Sequence, residues 1–320
     1  MNKLIVNFYN KLLEISKNRK IIKLTAVLLI SFSLIVMFLI SIKGINNLNF
    51  QRISYLSYQY ILLSILLYPL GMIPTAIAWH YTIKSLDVNL PFLTNLKIYL
   101  LTLFPRHLPG FVFFLGSRTL LYDEIGISKV KIISATFLES VLLAITGLVI
   151  TLMFPVLGIQ YGQINNIGLY IIVVISVVII GVYLVRKISK NQNVEVLNSI
   201  KKINFSKLFI AACWMMIAWC GGGILLFILA KSLVVVEAKN VVLIIVMWGL
   251  SGSIGIIIGF GIQGLGIREI TLGSLLSLIF PPMISFSLAI GFRLVLIIGE
   301  VLWTSVFYFY NFLLKRAKIN

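Results

Sequence analysis

Hydrophobic residues in this chain run in long blocks, and polar residues gather between them. Long apolar runs cover 24–42, 58–83, 132–154, 166–185, 208–230 and 283–312. Each is long enough, as a helix rising about 1.5 Å per residue, to cross roughly 30 Å of hydrocarbon. The pattern predicts six full transmembrane helices. Two further apolar stretches, 91–117 and 240–280, are interrupted by proline or glycine. Irregular backbone at membrane depth is tolerated only where protein or a wet cavity surrounds it, so these two are expected to be broken or re-entrant helical hairpins.

Composition agrees with the pattern. Of 320 residues, 60% are apolar and 11% charged, and the mean hydropathy is +1.07. Soluble domains run near a quarter charged. The fold class expected is all-α, a polytopic integral membrane protein, with residues 23–314 as its transmembrane domain. Residues 1–22 form a cytoplasmic or interfacial segment, and 315–320 a cytoplasmic tail. In the first segment Leu4, Ile5, Phe8, Leu12 and Leu13 recur at helical spacing against Lys3, Lys11 and Lys17, which suits a helix lying in the headgroup layer. An ordinary basic flank of the first span is the alternative. Charges continue through Lys17, Arg19, Lys20 and Lys23 with no cleavage site after a short apolar core, so a removed signal peptide is not expected.

A net charge of +18 raises the question of nucleic acid, and its distribution answers it: no nucleic-acid partner is expected. If the N-terminus is cytoplasmic and 91–117 enters and leaves on that side, 21 of the 27 Lys and Arg face the cytoplasm. They lie in 1–23, between Lys84 and Lys131, between Arg186 and Lys207, and at Lys315, Arg316 and Lys318. Only Lys43, Arg52, Lys231 and Lys239 fall outside, which is the positive-inside arrangement of a multi-pass cell-membrane protein with both termini cytoplasmic. If 91–117 crossed fully, the six cations of 186–207 would move outside. Pro105 and Pro109 each remove a backbone donor around Arg106 and His107, so the chain is expected to turn back between Pro105 and Gly110. A kinked full span is the alternative there. The same parity has 240–280 start and end outside, as a hairpin or as one span with a short return.

That second region places Gly252, Gly255, Gly259, Gly261, Gly264 and Gly266 ahead of Arg268 and Glu269. Gly116-Ser117-Arg118 can be set against Gly266-Ile267-Arg268, and Ala135 and Glu139 against Ala289 and Arg293, with one four-residue insertion. One element opens inward and the other outward, as an inverted-topology repeat requires. Chance similarity in a glycine- and leucine-rich chain is the alternative.

The run Pro105-Arg106-His107-Leu108-Pro109-Gly110, then Arg118, Gly126-Ile127-Ser128 and Ala135-Thr136-Phe137-Leu138-Glu139, resembles the flippase-like membrane region of bacterial lysylphosphatidylglycerol synthases and its stand-alone relatives. Gly264-Leu265-Gly266-Ile267-Arg268-Glu269, with Ala289 and Arg293, is similar to that family's second signature. The resemblance covers most of 20–315 and implies movement of a lipid between leaflets. Two departures stand out: Phe111 follows Pro109-Gly110 where relatives often have a Gly-Glu pair, and Ser140 stands where relatives often have arginine. In the synthases, lysine transfer belongs to a separate soluble domain, so this chain is not expected to make the modified lipid.

Intramembrane charge is where chemistry is expected. Arg268, Glu269, Arg293, Glu300 and Glu139 are costly in hydrocarbon unless paired or wet. Arginine suits a phosphate because its planar fork donates two parallel hydrogen bonds. The substrate-binding set expected is Arg106, Arg118, Glu139, Gly264, Gly266, Arg268, Glu269 and Arg293. Glu139 and Glu269 would neutralise arginines when no lipid is bound, and Gly264 and Gly266 would offer backbone amides. The partner expected is an anionic or polyprenyl-phosphate-linked membrane lipid. The alternative is a set of ion pairs fixing helix register in a noncatalytic subunit that scaffolds a glycosyltransferase or other envelope-synthesis complex. Glu300, seven residues after Arg293, is expected to pair with it structurally.

No enzymatic activity and no cofactor are expected. The outer segment Lys43–Tyr55 has no acid, 231–239 has only Glu237, and His80 and His107 lack metal-ligand spacing. Without a nucleotide-binding motif, any lipid movement would run downhill or on a gradient. Cys213 and Cys220 are expected to pack on one helix. Trp79, Tyr81, Trp303, Tyr308 and Tyr310 suit the interface. Gly221-Gly222-Gly223 suits close packing, with a hinge as the alternative.

Overall fold

Where the chain is apolar it has to satisfy its own backbone, and α-helix does so at every residue. A computed structural model of the protein describes residues 57–103, 106, 111–156, 203–258 and 266–317. These residues form α1 (Tyr58–Leu66), α2 (Pro69–Ser85), α3 (Phe92–Leu101), α4 (Phe111–Asp123), α5 (Lys129–Val156), α6 (Phe205–Ala230), α7 (Val241–Ile258), α8 (Ile267–Leu276) and α9 (Pro282–Ala317). A 3-10 turn, Ala238–Asn240, leads into α7. The protein is an all-helical, polytopic membrane protein. Among the described residues, five stretches are long and apolar enough to cross: Tyr58–Ser85, Lys129–Leu152, Phe205–Ala230, Ala238–Ile258 and Pro282–Leu313.

Four of the six expected spans are therefore present, and 24–42 and 166–185 lie outside the described residues, as do the segment 1–22 and residues 318–320. The span 58–83 is jointed. Pro69, at the first position of α2, has no N–H to continue the ladder of α1, and the chain turns through Leu67 and Tyr68. The last helix runs on to Ala317, past the boundary at 314 expected for the transmembrane domain.

Both broken regions divide into two helices. The first divides into α3, ten residues, and α4, thirteen, or about 15 and 20 Å at 1.5 Å per residue, each short of the hydrocarbon thickness. Pro105, His107, Pro109 and Gly110 lie between them, outside the described residues. Helix α4 continues beyond 117 to Asp123 and ends at Gly126, whose φ of +80° is left-handed. The second region is one span and one short return: α7 has eighteen residues and α8 ten.

Helix α6 runs along α2 and α7, α5 packs on α7, and α8 is wedged between α7 and α9. Close approach explains the triple glycine. A Cβ at Gly221 would meet the Leu70 carbonyl oxygen at 2.4 Å, one at Gly222 the Trp248 Nε1 at 2.4 Å, and one at Gly223 the Ile245 Cα at 2.6 Å. Helix α6 passes through all three without interruption, so they serve packing and not a hinge. Two apolar clusters result. One gathers Trp79, Ile83, Tyr99, Tyr122 and Leu138 of the first half, and the other Leu226, Ile244, Trp248, Leu276 and Phe292 of the second.

Candidate functional site

In the first half, α4 carries Arg118 and Tyr122 one turn apart, on the face turned to α5 and α2. Arg118 is 1% exposed. Its Nη1 donates to Glu139 Oε2 on α5, Nη2 to Glu139 Oε1 at 3.5 Å, and Nε to Thr102 Oγ1 at 3.3 Å. The guanidinium lies 3.9 Å from the centroid of the Trp79 ring and 4.3 Å from that of Phe114. A cation held on aromatic faces and against a carboxylate is compensated by charge, hydrogen bond and ring quadrupole together. Behind it a chain of buried polar groups fixes the rings. Trp79 Nε1 donates to the Tyr122 hydroxyl at 2.7 Å, Tyr122 donates to Asn95 Oδ1, and Asn95 Nδ2 approaches His80 Nδ1 at 3.4 Å.

In the second half, Gly266 adopts a φ of +81° and starts α8 abruptly. Its N–H donates to Glu269 Oε2 at 2.8 Å, and Glu269 Oε1 accepts from Arg293 Nη1 on α9. Glu269 thus caps one helix and pins it to the next. Arg268 points elsewhere, since adjacent helical residues do not share a face. Its guanidinium lies 3.8 Å from the Trp248 ring centroid on α7, and its Nε is buried without a hydrogen-bond partner among the described residues. Gly255 leaves room for its stem, because a Cβ there would sit 3.0 Å from Arg268 Cβ. Trp248 is itself held edge-on by Phe292 at 4.7 Å and by Trp219 at 5.9 Å between centroids.

A third pair joins the two halves. Arg106 Nη2 donates to Glu300 Oε1 at 2.6 Å, with the Glu300 side chain 2% exposed. This corrects the expected Glu300–Arg293 pair. Although both residues lie on α9, Arg293 turns to Glu269 and leaves Glu300 to the helix break of the first half. Between the halves is a cavity of about 230 Å³ whose charged walls are Arg106, Glu139, Arg268, Glu269, Arg293 and Glu300. Trp219, Trp248, Tyr68 and Tyr99 line its aromatic side.

A family model described as the lysylphosphatidylglycerol synthase TM region matches residues 22–303. The chain belongs to that family. No curated protein matches it. The match spans the cavity, so every described charged residue of the site lies on the lysylphosphatidylglycerol synthase transmembrane region itself.

Of the residues expected at the site, Arg106, Glu139, Arg268, Glu269 and Arg293 line this one cavity. Arg118 stands behind Glu139, sealed from it by its own pairing. Gly266 serves the fold of α8, with its amide spent on Glu269, so it is not a free donor for a ligand. Gly264 lies outside the described residues. Trp79 corrects another expectation: it is 0% exposed and supports Arg118, not the membrane interface. Sequence reasoning missed Thr102, Asn95, Tyr122 and Trp248. The four-residue spacing of Arg118 and Tyr122 within α4 was the one local signal for any of them.

Proposed function

We propose that the protein moves a phospholipid or lipid-linked saccharide between membrane leaflets, without covalent chemistry, and that Arg268 receives its phosphate. The observation that carries this reading is Arg268 itself. Arg106 and Arg293 in the cavity wall and Arg118 behind it are each bonded to a glutamate, and Arg268 alone of the four has no carboxylate within ion-pair distance among the described residues. A half-buried cation at membrane depth, with its Nε buried and unpartnered and a cavity beside it, suits an anion. Stacking on Trp248 blocks the guanidinium face and leaves its edge to donate, and the edge is what matches two phosphate oxygens. The charge distribution along the sequence supports a cell-membrane location with both termini cytoplasmic.

The experiment is lipid movement in liposomes containing the purified chain, read by chemical quenching of a fluorescent lipid from outside. Wild type is expected to expose inner-leaflet lipid well above the rate of empty liposomes. Arg268→Lys keeps the charge but loses the fork and is expected to be at least about tenfold slower, while Arg293→Lys, whose partner is a carboxylate, retains more. A wild-type rate equal to that of empty liposomes, or wild-type rates in both variants, would instead favour a scaffold for an envelope-synthesis complex.

A further inference from the structure

The line of buried polar groups behind Arg118 has a fixed direction, and it ends on a histidine. Trp79 Nε1, a group that can only donate, gives its hydrogen to the Tyr122 hydroxyl at 2.7 Å. Tyr122 has one hydrogen of its own and spends it on Asn95, so the Asn95 atom at that contact is the acceptor Oδ1. Asn95 therefore turns Nδ2, a donor, toward His80 Nδ1 at 3.4 Å. A ring nitrogen that meets a donor has to offer a lone pair, which puts the ring hydrogen on Nε2 and leaves His80 neutral. All four residues are buried, so bulk water does not repair a mismatch along the line.

We propose that His80 is a proton sensor, and that its protonation sets donor against donor at Asn95 and withdraws support from the tryptophan under Arg118. The histidine ring is confined by T-shaped contacts with Phe92 and Tyr81, at 5.3 and 5.9 Å between centroids, so the Asn95 amide is the part that moves. Turned over, it offers Oδ1 to the charged ring and faces Tyr122 with Nδ2. The Tyr122 hydrogen then has no acceptor, at a place where an unmade hydrogen bond carries its full desolvation cost. Trp79 is bonded to that hydroxyl and lies 3.9 Å from the Arg118 guanidinium, Arg118 is bonded to Glu139, and Glu139 lines the cavity. A proton at one end of the line is thus felt at the cavity wall, whatever ligand the cavity takes.

The charges around His80 offer the proton no partner. Lys84 stands one turn on along α2, and Lys207 of α6 donates to the Lys84 carbonyl at 3.3 Å. Lys131 of α5 donates to the Asp87 carbonyl at 3.4 Å, and Arg118 of α4 lies beyond Trp79. From α3 the facing groups are Phe92 and the neutral Asn95. No carboxylate is within ion-pair distance of His80 among the described residues. Protonation therefore costs the folded chain a buried bond and costs the unfolded chain nothing. Stability is full above the ordinary histidine range and falls as pH drops below about 6.5.

The test uses the full chain in neutral detergent. His80 and His107 are its two histidines, so in His107→Gln every histidine signal belongs to His80. The nitrogen NMR spectrum of that variant, labelled at histidine, is expected to show the Nε2–H tautomer at neutral pH. A ring that is charged there, or protonated on Nδ1 alone, overturns the direction of the line. Melting midpoints are then compared between about pH 7.5 and about pH 5.5, either side of the ordinary histidine value. Wild type and His107→Gln are expected to lose several degrees over that interval, and a flat wild-type profile overturns the sensor. His80→Gln offers an amide oxygen to Asn95 at every pH and is expected to lose most of the acid fall. Tyr122→Phe distinguishes the route from a histidine that is merely buried: without the hydroxyl, Asn95 turns over freely, so this variant melts lower throughout and also loses most of the fall. An unchanged fall in folded His80→Gln overturns the sensor, and an unchanged fall in folded Tyr122→Phe overturns the route through Asn95.

Discussion

Arg118 and Arg268 occupy corresponding places in the two halves of the molecule. Each closes a Gly-x-Arg run and lies on a short helix, and each guanidinium rests on a tryptophan ring, at 3.9 and 3.8 Å. Their surroundings differ in the charged group on the following long helix. The long helix after Arg118 presents Glu139, whereas the matching position after Arg268 is Arg293. The first half is consequently closed, with its arginine bonded to carboxylate and hydroxyl. In the second half the neighbouring Glu269 goes to Arg293, and Arg268 is left open to the cavity. On the proposed function, this difference in pairing separates a structural cation from one that takes a ligand.

The comparison breaks most severely at the closed end. Arg118→Ala strands Glu139, which is 6% exposed, beside the empty place of its partner. Stranding one member of a buried pair costs about 3–5 kcal/mol, so the variant is expected to melt far below wild type or fail to accumulate in membranes. Near-normal melting would show that water reaches Glu139 and that this half is not closed.

Next in size is the platform beneath Arg268. In Gly222→Ala the new methyl would meet Trp248 Nε1 at 2.4 Å, so Trp248 has to move and carry the guanidinium with it. Overpacking of this kind costs about 1–3 kcal/mol, and a loss of lipid movement larger than the loss of stability is expected in liposomes. Gly266→Ala is smaller: a side chain at φ +81° costs roughly 1–2 kcal/mol, and the measurement is the shift in melting midpoint. A variant that melts like wild type would mean that α8 starts elsewhere.

Much of this arrangement was legible in the sequence. Four described spans, the division of 91–117 and 240–280, and five of the charged cavity residues follow from apolar run length, from proline and glycine, and from the cost of charge at membrane depth. Partner choice was not legible. Arg106 meets Glu300 from 194 positions away, and nothing in the spacing along α9 says that Arg293 and Glu300, on one helix face, take different partners. Trp79 lies close enough to the end of α2 to suit an interface, and only the packing of α4 across it makes it interior. Local patterns report which groups are expensive to bury; rotation and long-range packing decide which of them meet.

The central claim is that Arg268 is an uncompensated cation and Arg118 a compensated one, and it can be measured without knowing the lipid. Arg118→Gln and Arg268→Gln are melted beside wild type in the same neutral detergent, stripped of anionic lipid. Removing a paired buried charge strands its partner, whereas removing an unpaired one relieves a desolvation cost. The expected result is a fall of several degrees for Arg118→Gln and an unchanged or higher midpoint for Arg268→Gln. Equal falls in both variants would contradict the account, because Arg268 would then have a partner as firm as Glu139.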